Sequence, residues 1–169
     1  MSPSEEILLP VKPAYIAISL FVAMMINLLP LTGWILAARP DFVALVLLYW
    51  GVHQPRKIGF LPAFLLGLLM DVADGSLFGQ HALAYTVMMY AAIALHRRVS
   101  MFDVRHQILH VLPILVVMQL IVFGVRHAAG GVFPGWWYLM PSITGAVLWP
   151  VTDLLLKIPL RPRTDPDEA

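Results

Sequence analysis

The feature that most constrains this chain is a series of apolar runs, each too continuous to be one face of an element in water. They are Ala14–Leu29, Phe42–Val52, Ile58–Val72, Ala82–Leu95, Ile108–Val125 and Trp137–Ile158. A helix crossing the hydrocarbon core of a bilayer needs about 20 mostly apolar residues, fewer if it is re-entrant. None of the runs alternates apolar with polar residues, and a lipid-facing sheet would have to close into a barrel, so strands are disfavoured. Composition agrees. Of the 169 residues, 60% are hydrophobic and 12% charged, against roughly 25% charged in a soluble domain. The expected fold is an all-α integral membrane protein with about six transmembrane helices in one compact bundle.

The second run is short. Adding Trp34–Ala38 lengthens it, but Arg39 and Pro40 interrupt, because proline disfavours helix at the residue before it. A broken span and a dip into the interface both fit. Residues 13–158 form the membrane domain, residues 1–12 a cytoplasmic N-terminus, and 159–169 a disordered cytoplasmic tail. The opening "MSPSEEILLP" lacks the basic region of a cleavable signal, so the first run reads as a retained span. With the N-terminus inside, the inner segments carry Lys12, Arg56, Lys57, Arg97, Arg98, Arg105, Lys157, Arg161 and Arg163. The outer segments keep only Arg39 and Arg126. Cytoplasmic loops concentrate lysine and arginine, so the expected location is the inner membrane, multi-pass, with both termini cytoplasmic and residues 71–81 outside. Trp34, Trp136, Trp137 and Tyr138 then sit at the outer boundary, where amphipathic rings are favoured.

Several function classes fall away. There is no cysteine, hence no disulfide, thiolate metal site or cysteine nucleophile. No basic stripe with interleaved aromatics points to nucleic acid. No phosphate-cradling glycine loop, dinucleotide fingerprint or nucleophile elbow is present, and no cofactor is implied. His106 and His110 have the i,i+4 spacing of a helical metal pair, but the run between them, "QIL", lacks the glutamate of a metalloprotease. The preferred reading is two histidines near the inner membrane boundary, with no metal.

The most informative stretch is "GLLMDVADGSLFGQHAL", residues 67–83, where Gly67, Asp71, Gly75 and Gly79 recur every four residues. Asp71 and Asp74 can be weighed as an acid–base pair, which needs pKa values pushed apart. No glutamate or lysine lies nearby, and "DGS" signals a turn. A structural role is preferred. If helix continues, the small residues let a neighbouring helix approach closely. If it stops near Asp74, Gly75 and Gly79 supply positive-φ turns, and Asp71 accepts from backbone N–H groups of the turn or the next helix start. An ion or ligand site and a partner contact remain alternatives. Arg39 and Asp41, flanking Pro40, are expected to pair at the outer edge, as an anchor or as part of a binding surface. Asp153 and Lys157 read as a structural i,i+4 pair, and Asn27, Gln119 and Thr144 as interhelical hydrogen-bond partners.

The ordered segments "RPDFVALVLLYWG" (39–51), "GFLPAFLLGLLMDVADGSLFGQHALAY" (59–85) and "GAVLWPV" (145–151) resemble the rod shape-determining protein MreD family over about residues 15–158. The matching motif positions are Arg39, Pro40 and Asp41, then Gly67, Asp71, Gly75 and Gly79, then Trp149 and Pro150. The resemblance implies that these serve partner binding or structure, not catalysis. It implies a non-enzymatic component of the rod complex, or elongasome, which binds the MreC membrane helix and helps control cell shape and side-wall peptidoglycan synthesis. RodA, the elongation transpeptidase and MreB are implied as indirect partners, and a homo-oligomer is left open. The family also resembles the S-components of energy-coupling-factor transporters. That keeps an alternative: a carrier or sensor binding a small molecule or lipid in an outward cavity lined by Asp71, Asp74 or Trp136.

Overall fold

Proline decides where helices begin and break. In a computed structural model, which describes residues 11–30, 32–132 and 135–160 without the side chains of Ile35 and Ala37, Pro13 opens α1 (Pro13–Asn27) and Pro141 lies in the first turn of α7 (Met140–Lys157). Both positions suit a residue with no N–H to offer. At Pro40 the chain breaks: α2 (Gly33–Ala38) ends, Arg39 is extended at φ −64° and ψ 122°, and α3 (Phe42–His53) begins. The remaining elements are α4 (Phe60–Ala73), α5 (Gln80–Ser100), α6 (Val104–Ala128), and 3₁₀ turns at Trp136–Leu139 and Ile158–Leu160. No strand occurs among the described residues. Residues 1–10 and 161–169, on which most of the expected N-terminal segment and tail fall, lie outside them.

The expected six helices are present as α1 and α3–α7. The second run is broken at Arg39–Pro40, as the proline suggested, with α2 as a separate piece. Helix α3 is the centre of the bundle. Nine of its twelve residues are buried, because it is apolar on every side and is packed by α1, α5 and α7. At about 1.5 Å per residue it is only about 18 Å long, shorter than a hydrocarbon core of about 30 Å. Its ends are therefore surrounded by protein, where polar caps replace water.

The outer faces are apolar. On α4 the stripe Leu61, Leu65, Leu69 and Val72 is open, Leu61 being 67% and Val72 68% exposed; on α1 Ile18, Phe21 and Val22 are open likewise. Stripes of this size on a free surface demand an apolar solvent. The stretches 104–128 and 136–160 are each long and apolar enough to cross a membrane alone.

The helices alternate in direction, so the loops fall at two ends. One is basic: it carries Lys12, His53, Arg56, Lys57, Arg97, Arg98, Arg105 and Lys157, and is tied together where Lys57 Nζ donates to Val11 O and Tyr15 Oη to Leu156 O at 3.2 Å. The opposite end gathers the described parts of the α1–α3 connection, the α4–α5 loop, and residues 129–132 and 135–139.

Candidate functional site

Asp71 lies in the last turn of α4 and is buried to 1% exposure. A carboxylate there must be compensated by hydrogen bonds. The backbone supplies them. Gly79, the residue preceding α5, donates its N–H to Oδ2 at 2.8 Å, and Ala82 donates to the same oxygen at 3.4 Å. His81 N donates to Oδ1 at 2.8 Å, the His81 ring Nδ1 lies 2.8 Å from that atom, and Ser76 Oγ donates to it at 3.0 Å. The N–H groups at the start of a helix have no partner within it. Here a carboxylate from the preceding helix takes them, with the favourable sign toward the helix dipole.

The turn that makes this possible is set by glycine. Helix α4 ends in a Schellman arrangement, with Ser76 N donating to Asp71 O at 3.0 Å and Gly75 N to Val72 O at 3.3 Å. Gly75 has φ +59° and Gly79 φ +97°, a region that costs a residue with a Cβ. Gly67 acts differently. A Cβ built on it would stand 2.4 Å from Ala82 Cα and 2.5 Å from Ala82 N, so α4 and α5 cross backbone to backbone. The four-residue spacing thus joins one packing glycine, one capping carboxylate and two turn glycines. It does not mark a continuous helical stripe.

The second motif converges on the same end. Asp41 precedes α3 and caps it, accepting from Ala44 N at 3.0 Å. The same oxygen accepts from Asn27 Nδ2 at 2.8 Å, and the other accepts the Tyr85 hydroxyl at 2.5 Å. Asn27 Oδ1 in turn accepts from Phe42 N at 3.0 Å. The expected Arg39–Asp41 pairing is corrected here. Arg39 turns to the open end of α1, where Nη1 donates to Asn27 O at 2.6 Å and Leu29 O at 3.3 Å. Carbonyls left over at a helix C-terminus attract a cation, while Asp41 is held by N–H and O–H donors. Pro40 is buried between them.

A depression of about 170 Å³ lies between the two motifs, lined by Asn27, Arg39, Asp41, Asp74, His81 and Gln119 among others. Asp74, exposed at the end of α4, belongs to this lining; Asp71 and Trp136 do not, although the ligand reading had named all three. The surrounding rim exposes Trp34, Phe78, Trp136 and Trp137, as aromatic side chains at a membrane–water boundary do.

Trp149 and Pro150 lie elsewhere. Trp149 is wholly buried and donates from Nε1 to Gln107 Oε1 at 2.8 Å, while Gln107 Nε2 donates to Phe102 O at 3.0 Å. It joins α6 to α7 and presents no surface to a partner. Pro150 follows it inside α7. At the basic end Lys157 Nζ lies 2.8 Å from Asp153 Oδ1, with His53 Nε2 3.7 Å from that oxygen. Of the isolated polar residues, Asn27 reaches α3, Gln119 donates to Tyr138 O at 3.2 Å, and Thr144 donates to Ala38 O at 2.8 Å. Among the described residues no three His, Asp or Glu side chains gather where they could hold a metal ion.

Sequence reasoning missed two participants. Neither Tyr85 nor His81 is singled out in the sequence. A signal was available: His81 and Tyr85 are four apart on α5, so both rings face the side on which the two aspartates must lie.

A helical bundle with apolar stripes turned outward, and with carboxylates spent on helix ends inside it, defines a polytopic α-helical membrane protein. The chain belongs to the family of rod shape-determining protein MreD, whose family model matches residues 11–158. It is similar to the rod shape-determining protein MreD of Haemophilus influenzae, at 29% identity over 136 residues, covering 80% of this chain and 84% of that protein. No solved structure matches it. Its place is therefore among membrane proteins of rod-shape determination.

Proposed function

We propose that the chain is a non-enzymatic, inner-membrane member of the elongasome that binds MreC and so helps control side-wall peptidoglycan synthesis, with both termini in the cytoplasm. RodA, the elongation transpeptidase and MreB are reached indirectly. The observation that carries this reading is the convergence of the 39–41 and 67–81 motifs at one end of the bundle. There Asp41 and Asp71 are consumed as acceptors for helix starts, a use that makes a rigid surface and leaves neither carboxylate free for proton transfer. The docking edge comprises the rim of that end, where Asp74, Leu77 and Phe78 are exposed. An exposed loop held by a rigid scaffold is a usual place for recognition.

The test is co-purification of MreC with variants of exposed residues, Asp74→Ala and Phe78→Ala, which leave the caps intact. Loss of MreC with unchanged thermal unfolding is expected; retention by a panel covering the whole rim refutes the surface. Orientation is checked independently. Because the chain has no cysteine, single substitutions at exposed positions, Leu77→Cys and Arg56→Cys, can be labelled cleanly. A membrane-impermeant thiol reagent added to intact spheroplasts is expected to reach only the first.

A second reading, an S-component-like carrier or sensor, draws on the same depression, whose lining is polar. Its volume of about 170 Å³ is below the roughly 300–1,000 Å³ of small-molecule sites, which favours the first reading. Specific ligand density there, or stabilisation abolished by Asp74→Ala, would reverse the preference.

A further inference from the structure

We propose that the groove between α5 and α6 is a binding site for an anionic phospholipid of the leaflet at the basic end, one acyl chain lying in the groove and the phosphate meeting Arg98. The groove encloses about 330 Å³ and is lined by Val87, Met88, Ala91 and Leu95 of α5 and by Leu109, Pro113 and Ile114 of α6, with Arg98 and His110 at its basic end. From Val87 to Arg98 it runs eleven residues, about 16 Å at 1.5 Å per residue. That is about half of a hydrocarbon core of about 30 Å. The groove therefore fits a chain from one leaflet, with its polar end at that leaflet's surface.

The charge at this end selects the headgroup. Arg97 and Arg98 close α5, and Arg105 and His106 open α6; all four are exposed. None of the three arginines is in an ion pair among the described residues, and Asp103 is the one acidic residue between His96 and His110. The His110 ring is stacked on Phe102 with centroids 4.9 Å apart, and its Nδ1 has no hydrogen-bond partner among the described residues. Basic pockets between transmembrane helices are where anionic lipid headgroups bind. A comparison within the molecule sharpens the point. The groove of about 340 Å³ between α1 and α7 is apolar too, but among the described residues no charged side chain lines it, so they give it no means of preferring one headgroup.

The experiment uses the full chain purified in a neutral detergent. It is titrated with phosphatidylglycerol and with phosphatidylcholine of the same acyl chains, and read by native mass spectrometry and by thermal unfolding. A cation near a membrane surface contributes about 1 kcal/mol toward an anionic lipid, about fivefold in affinity. Phosphatidylglycerol is expected to be retained about fivefold or more over phosphatidylcholine. Arg98→Gln should bring the ratio toward parity without altering unfolding in lipid-free detergent. Arg126→Gln, at the opposite end, should leave the ratio unchanged. Glycerol phosphate, with no chains, should produce no shift. A photo-reactive residue at Leu109 in living cells should crosslink to lipid. Equal retention of the two lipids, an unchanged ratio in Arg98→Gln, stabilisation by glycerol phosphate alone, or a crosslink from Leu109 to a protein helix would each overturn the assignment.

Discussion

Replacing Gly67 with alanine adds one methyl group to the interior of α4, and the sign of its effect is decided by the α4–α5 crossing. On an isolated helix the change stabilises, because alanine is favoured over glycine by about 1 kcal/mol. Here the new Cβ would meet Ala82 Cα at 2.4 Å, Ala82 N at 2.5 Å and His81 C at 2.7 Å. All three are backbone atoms, which have no rotamer to change. Restoring van der Waals contact requires the helices to part by about 1 Å. Overpacking of this kind costs about 1–3 kcal/mol. The same displacement lengthens the bonds from Gly79 N and His81 N to Asp71, now 2.8 Å each, and a weakened hydrogen bond to a buried charge adds about 1.5–3 kcal/mol. After the propensity gain, a net loss of about 1.5–5 kcal/mol is expected. The assay is reversible unfolding of the purified protein in mixed detergent micelles, with Gly124→Ala as reference. Gly124 is in α6, and a Cβ there meets nothing within 4 Å, so that substitution should be neutral or stabilising by up to about 1 kcal/mol. If Gly67→Ala were as stable as Gly124→Ala, the close crossing would be wrong, and with it the account of why Asp71 reaches α5.

Asp71→Ala leaves the N–H groups of Gly79, His81 and Ala82 without their acceptor and should cost about 3–5 kcal/mol; Asp71→Asn, keeping one acceptor oxygen, should cost less, and equal losses in the same unfolding assay would contradict the capping role. Trp149→Phe strips Gln107 Oε1 of its donor and should cost about 1–3 kcal/mol, with a double-mutant cycle against Gln107→Leu showing strong coupling; additive losses would mean the bond contributes little. Lys157→Met leaves Asp153, 5% exposed, with His53 as its remaining basic partner among the described residues and should cost about 3–5 kcal/mol, most of it recovered in Lys157→Met with Asp153→Leu. Failure of the double variant to recover would show that the pair does more than compensate itself.

How far the fold was legible depends on which solvent a residue reads. Uninterrupted apolar runs can be stable only in lipid or in a core, and each run became a helix whose ends moved by a few residues at most, except α5, which extends to Ser100 along the Arg97–Arg98 turn. The break at Arg39–Pro40 was readable because the steric conflict is local to two residues. Gly75 and Gly79 were readable as turn residues for the same reason. The Arg39–Asp41 pair was misjudged because sequence proximity suggested opposite charges would meet, whereas each found helix-end dipoles closer to hand.

Chemistry of the backbone and side chains therefore determined the solvent, the number of long helices, their breaks and the grouping of basic loops at one end, since each of these depends on neighbours along the chain. Only the tertiary structure decided that α3 is the enclosed centre, that Gly67 rather than the other glycines bears a helix crossing, that Tyr85 and His81 complete the two aspartate networks, and that Trp149 faces inward. These depend on which helix lies against which. Residues distant in sequence meet there through packing and desolvation, and no local pattern encodes their distance.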